Sequence, residues 1–226
     1  MKYKIEFRGK SEGQKKYILS IVHNTITVCH GPAGTGKSII PLAIALQNVC
    51  SDDPNRLYKQ LVITRPLVSV GKDIGSLPGT IDERIAPYFR PAYGNMVKIL
   101  GGVKPVDDLI KSRTILFEPL ELMRGMTYDN AFIVVDEAQD TLPEQMLMVL
   151  TRLGQNSKII INGDNEQSDL KGTNGLDIAI RAFEDTEYSE LVVLTDRDQQ
   201  RNALINKITK DFKYAEQAHE RKQGLY

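Results

Sequence analysis

The chain has no tryptophan, and aromatic residues make up only 7% of its 226 positions. A surface that stacks successive bases of a single strand on aromatic rings is therefore not expected. It has two cysteines, Cys29 and Cys50, too few for a disulfide framework and without zinc-site spacing. Cys29 lies in an apolar stretch and reads as a small buried residue. Neither charge sign is in excess: 29 Lys and Arg balance 29 Asp and Glu. No whole-protein field draws in nucleic acid, so any such contact must come from a local patch. No apolar run approaches the ~18 residues of a membrane span, and the N-terminus lacks the apolar core of a signal peptide. A soluble, cytoplasmic protein with no membrane partner is expected. Repeats, low-complexity runs and linkers are also missing. With 41% hydrophobic and 26% charged residues, the composition suits one domain over 1–226, its core at about 11–213, with a polar C-terminal tail.

What the chain does have is Gly31-Pro32-Ala33-Gly34-Thr35-Gly36-Lys37-Ser38, a G-x-x-x-x-G-K-S phosphate loop. Its glycines let successive N–H groups turn toward the α- and β-phosphates of a nucleotide. Lys37 would reach the β- and γ-phosphates, and the Ser38 hydroxyl would hold Mg²⁺. By composition alone the pattern should arise in about one chain in a hundred of this size. Here Ile26-Thr27-Val28 precedes it as a strand and the apolar run 39–49 follows it as a helix, whose positive end would face the phosphates. An ATP or GTP site is expected.

The rest of the chain alternates strand and helix patterns. Tyr3, Ile5 and Phe7 fall on one face of an alternating stretch over 2–8, which predicts a half-buried strand. Ser11 caps a helix to about residue 23 carrying Gln14, placed where its amide could pair with an adenine edge through both its donor and its acceptor. Pro41, inside the helix after the phosphate loop, should cost a hydrogen bond or kink the helix. A strand at 61–64 leaves Arg65 at its carboxyl end, where open α/β sheets bind ligands. A glycine-rich loop spans 71–80, a helix 82–100 and a short helix 106–111. Further strands are read at 114–117, 132–135, 158–161 and 191–194, and helices at 143–153 and from about 199 to 210. This predicts an α/β fold with a mostly parallel sheet covered by helices on both faces.

Phe132-Ile133-Val134-Val135 runs into Asp136-Glu137. The first carboxylate suits the Mg²⁺ shell, and the second can orient and deprotonate the attacking water.

Together these stretches resemble the PhoH family of P-loop ATPases, relatives of the ATPase core of superfamily-one helicases. The resemblance rests on the phosphate loop, Thr64-Arg65-Pro66, the 75–79 segment, Met123-Arg124-Gly125, Val135 to Asp140, Pro143-Glu144-Gln145-Met146, 150–154 and 163–170, and covers about 11–210. It implies a RecA-like domain that hydrolyses ATP, with Gln14 reading adenine and Gln167 sensing the γ-phosphate. It also implies work on RNA or single-stranded DNA, with Arg65, Lys72 and Arg124 at the active edge. Some family members carry an attached PIN-type nuclease domain; intrinsic nuclease activity is not expected of this chain. Asn202-Ala203 stands where cellular members have His-Pro after the arginine matching Arg201. The short N-terminus, without the extra segment of many cellular members, makes a compact viral or plasmid-borne member the expectation.

A γ-phosphate site usually takes an arginine, and the phosphate loop has none. Ring-forming relatives supply it from a neighbouring subunit, so a homo-oligomer is expected, a hexameric ring being the closed form in view. Arg201 is the first candidate for that role, with Arg197 and Arg124 as the others. Two other readings stand beside the nucleic-acid-coupled ATPase. One is an ATP-dependent switch that controls a partner. The other is a small phosphotransferase, disfavoured by the missing arginine-rich lid and by an acidic pair suited to water. A translocating helicase normally needs two RecA-like lobes, and this chain supplies one.

Overall fold

The computed structural model describes residues 3, 5–67 and 81–200, with 207, 208, 211, 212 and 214. Short aliphatic runs build one seven-stranded sheet. Its strands are β1 (Ile26–His30), β2 (Gln60–Arg65), β3 (Ile115–Pro119), β4 (Ala131–Val135), β5 (Lys158–Gly163), β6 (Asp185–Thr186) and β7 (Ser189–Val193). The order is β3-β2-β4-β5-β1-β7-β6. All neighbours pair in parallel except β6, which closes against β7 as an antiparallel edge.

Burial on both faces explains why these strands read as continuous apolar runs. Phe132 and Val134 of β4 point into one core and Ala131, Ile133 and Val135 into the other. The first core is covered by α1 (Glu12–His23), α2 (Ile39–Val49), α3 (Ile81–Leu100) and α4 (Val103–Lys111), and the second by α5 (Pro143–Leu150) and α6 (Gly175–Ala182). The expected parallel α/β sheet with helices on both faces is what the chain forms.

Local chemistry sets the boundaries. Ser11 caps α1 by accepting from the Gln14 amide at 3.2 Å, as its hydroxyl predicts. Gly101, at φ +76°, ends α3, a backbone state that costs glycine little. Two expectations are corrected. Residues 5–9 form no strand. Ile5 is buried, and Tyr3 and Phe7 pack on the same core, so the alternation located the apolar side. The Ile5 carbonyl, however, accepts from Gln47 Nε2 of α2 at 2.9 Å rather than from a sheet edge. Helix α5 stops at Leu150, because Thr151 closes it and Leu153 turns to bridge Tyr128. Pro41 does cost α2 a backbone hydrogen bond, and the Tyr17 hydroxyl donates to the carbonyl left over, that of Lys37, at 3.4 Å. Helix α6 and strand β6 were not read from the sequence, although Asn174 and Asp177 form a capping box of recognisable spacing. The segment 75–79 and the loop 71–80 lie outside the described residues.

Candidate active site

The order of the sheet sets β5 between β1 and β4, so the phosphate loop after β1 and the acids after β4 flank the end of β5. Within the loop, Gly34 and Gly36 take φ of +85° and +97°. The Thr35 hydroxyl donates to the Pro32 carbonyl at 2.9 Å, and the Ile40 amide to the Gly36 carbonyl at 3.0 Å. Gly31 must be a glycine, since a Cβ there would sit 2.3 Å from the Leu194 carbonyl oxygen. Lys37 is buried, its Nζ 3.8 Å from Asp164 Oδ2.

Asp136 lies across from Ser38, whose hydroxyl donates to Asp136 Oδ1 at 3.0 Å. The same oxygen accepts from Asn162 Nδ2 at 2.6 Å. Burial pushes the Asp136 carboxyl up from its ordinary value and the neighbouring Glu137 adds to this, while Arg65, the Ser38 hydrogen bond and Lys37 pull it back. Asn162 Oδ1 and Thr64 Oγ1 are buried without a hydrogen-bond partner, on the strands flanking β4. Among the described residues no three His, Cys, Asp or Glu side chains cluster as a metal cage. Hard oxygens from Ser38 and Asp136 fit a magnesium ion, which keeps most of its ligands as water and phosphate.

Glu137 follows with φ +54°, a left-handed state uncommon for a side chain of this size. Gln139 Nε2 donates to Glu137 Oε2 at 2.8 Å, and Gln139 Oε1 accepts from the Asp164 amide at 2.9 Å. Gln167 sits in the 3-10 turn Asn165–Gln167, its Nε2 donating to Asp164 Oδ2. Lys37, Glu137 and Gln167 thus meet through Asp164 and Gln139, two residues given no role in the sequence reading. A polar residue ending the Ile159–Ile161 run could have singled out Asn162.

Gln14 is buried against the loop, and its donors are taken by the protein, which corrects the expectation that donor and acceptor both face adenine. Its Nε2 donates to the Thr35 carbonyl at 2.8 Å and the Asp198 carbonyl at 3.3 Å, and Oε1 accepts from the Lys10 amide at 2.8 Å. The Asp198 carboxylate takes the Ser11 hydroxyl at 2.6 Å and the Thr195 amide at 2.8 Å. Burial pushes that carboxyl up, but the Ser11, Thr195 and Gly13 donors outweigh it and hold it below the usual range. The Gln200 amide closes the same corner on the Gly34 carbonyl at 3.0 Å. Arg65 donates through Nη1 to the Tyr88 carbonyl at 2.9 Å, leaving its buried Nε unpaired. Arg124 and Arg197 are exposed. Arg201 and Lys72 lie outside the described residues.

A family model of PhoH-like proteins matches residues 6–213. The chain belongs to the PhoH-like protein family. Curated PhoH-like proteins of Synechocystis and Mycobacterium tuberculosis are 37% and 40% identical over 92% and 89% of this chain. Protein PhoH of Escherichia coli is 36% identical over 88% of it. The chain spans 63%, 56% and 56% of those three relatives. The large terminase of bacteriophage D6E shares the fold alone: 13% identity, a TM-score of 0.51, and 88% of this chain on 49% of that one. This PhoH-like chain has the α/β, RecA-like fold of P-loop NTPases. No helix among its described residues is long and apolar enough to cross a membrane.

Proposed function

We propose that the chain hydrolyses ATP with Mg²⁺ and couples turnover to RNA or single-stranded DNA. The observation that carries the reading is the Ser38–Asp136 contact of 3.0 Å beside Lys37 and Glu137. It joins the phosphate loop to the acidic pair at one edge of the sheet. Lys37 binds the β- and γ-phosphates once Asp164 yields them its ammonium. Ser38 and Asp136 hold the cation. When bound, Mg²⁺ neutralises charge on the β- and γ-phosphate oxygens. Glu137 accepts a proton from the water whose oxygen attacks the γ-phosphorus while the bond to the β–γ bridging oxygen breaks, giving ADP and phosphate. Gln167 orients the γ-phosphate. Gln14 has both N–H donors on main-chain carbonyls, which leaves a lone pair of Oε1 for a donor such as the adenine amino group. Guanine presents an acceptor at that position.

Arg201 completes the site from a neighbouring subunit in a closed homo-oligomer. Mixing Arg201→Ala with Lys37→Ala subunits then restores only the activity of interfaces where an intact loop meets an intact arginine. A fully active monomer by light scattering ends that part of the reading. The reading as a whole is tested by ATP turnover of the protein alone, with RNA, and with single-stranded DNA. Stimulation by a polynucleotide is expected. Turnover indifferent to both selects a nucleotide-driven switch, and no turnover rejects the ATPase.

A further inference from the structure

Glu137 is an unusual base to aim. Its backbone is in the left-handed region at φ +54°, and its side chain ends in a carboxylate with several free rotations. Pre-organising it requires a partner that is itself immobile. Gln139 meets that requirement. It is 2% exposed, its main-chain carbonyl accepts from Ser168 Oγ at 2.9 Å, and both ends of its amide are used. Nε2 donates to Glu137 Oε2 at 2.8 Å and Oε1 accepts from the Asp164 amide at 2.9 Å. The wall behind it is Gly163, where a Cβ would lie 2.5 Å from Gln139 Oε1.

Asp164 opens the turn that carries Gln167, and its Oδ2 takes both Gln167 Nε2 and, at 3.8 Å, Lys37 Nζ. Those two donors are the ones assigned above to the γ-phosphate. We infer that Gln139 is a positioning residue that clamps the Glu137 carboxylate to the Asp164–Gln167 turn, so that the base is aligned through the segment that senses the γ-phosphate. This rests on the proposed hydrolysis with Glu137 as base. The amide bonded to Oε2 leaves Oε1 to face the water. An arriving γ-phosphate competes with Asp164 for Lys37 and Gln167, and any shift of Asp164 is passed to Glu137 through a single side chain.

The test is Gln139→Met, which keeps the volume and removes both hydrogen bonds. It is measured beside Glu137→Gln, the double variant, and Gly163→Ala, whose Cβ would crowd Gln139 Oε1 at 2.5 Å and Leu176 at 2.7 Å. Expected is a roughly 10- to 100-fold fall in kcat for Gln139→Met, the scale of a misplaced catalytic group. KM and the affinity for a fluorescent ATP analogue should stay within about threefold. Gly163→Ala should show the same split between kcat and KM. In single turnovers on the Glu137→Gln background the Gln139 effect should vanish, because residues acting as one unit are not additive. If Gln139→Met fails to fold, Gln139→Asn is read instead; it keeps a neutral amide but is one methylene too short to hold Glu137 and Asp164 together, and should show the same kcat loss. Normal kcat in the Gln139 variant, or an undiminished effect without Glu137, overturns the inference. When Glu137→Gln is inactive and Gln139→Met is normal, the inference alone fails. A Glu137→Gln protein that turns over near the wild-type rate removes the base assignment and the inference together.

Discussion

Tyr17 donates its hydroxyl to the carbonyl of Lys37 across 3.4 Å. That carbonyl is the one an ordinary residue at position 41 would reach with its amide, four residues on, and Pro41 has none. Tyr17 is fully buried, and burial, with Cys29 and Asp136 nearby, pushes its hydroxyl well above the ordinary phenol range. It therefore stays protonated and remains a donor. A side chain of α1 thus replaces the backbone hydrogen bond that the proline removes, on the lysine of the phosphate loop.

Tyr17→Phe should therefore cost about 1–2 kcal/mol, since it strips a buried carbonyl of its donor. Adding Pro41→Ala should recover part of the loss by supplying the missing amide. Urea unfolding of the two single variants and the double variant checks this; strict additivity would show that the two residues do not share the acceptor.

Lys37→Ala should abolish ATP binding, because the phosphates lose their main cation. Glu137→Gln should bind Mg·ATP with near-normal affinity and turn over about 10²–10⁴-fold more slowly, the usual contribution of a general base. Equilibrium binding and phosphate release, measured on both, separate the two roles. Near-normal turnover by Lys37→Ala would defeat the site assignment.

Asp164→Asn should destabilise the nucleotide-free protein by on the order of 2 kcal/mol, because Lys37 is left buried without its carboxylate. The deficit should shrink with a non-hydrolysable ATP analogue and Mg²⁺, as the γ-phosphate then supplies the negative charge. Thermal unfolding with and without the analogue measures both quantities. A deficit unchanged by the analogue would mean that Asp164 and the phosphate do not share Lys37.

Gln14→Ala should reduce kcat/KM for ATP about 10-fold more than for GTP, as a pocket built for one hydrogen-bonding edge discriminates through that edge. Both nucleotides should also lose something in common, because Gln14 tethers Thr35 and Asp198. Equal losses would leave Gln14 with the tether alone.

Lys158 provides a pH test away from the site. It is buried at the start of β5, its Nζ donating to the Ile21 carbonyl and, at 3.1 Å, to the Val22 carbonyl at the end of α1. Burial lowers its pKa from 10.5 to about 8. The fold disfavours the charged form, so this stabilising contribution is full above the unfolded value of 10.5 and is lost as pH falls through about 8. Relative to Lys158→Met, wild type should gain on the order of 2 kcal/mol between pH 7.5 and 10. Denaturant titrations at three pH values would show it; a constant gap would mean that the ammonium does not titrate in this window.

Much of this could be read from the chain because the governing physics is local. The Ser11 cap, the limits of α2 and the apolar runs of β1, β4 and β5 follow from neighbours a few residues apart. So do the phosphate loop and the acids at the end of β4, whose positions need only the rule that strands end where polar residues begin. Alternation at residues 3–7 told which side is buried, but not whether a strand edge was there to pair with. The working contacts of the site join distant segments. Asn162 meets Asp136 across 26 residues, Gln139 meets Asp164 across 25, and Gln14 reaches Asp198 across 184. These depend on the sheet order, which inserts β5 between β1 and β4 and sets β7 beside β1. Strand order is decided by packing of the whole chain, since a strand's own residues specify its two buried faces and leave its neighbours open.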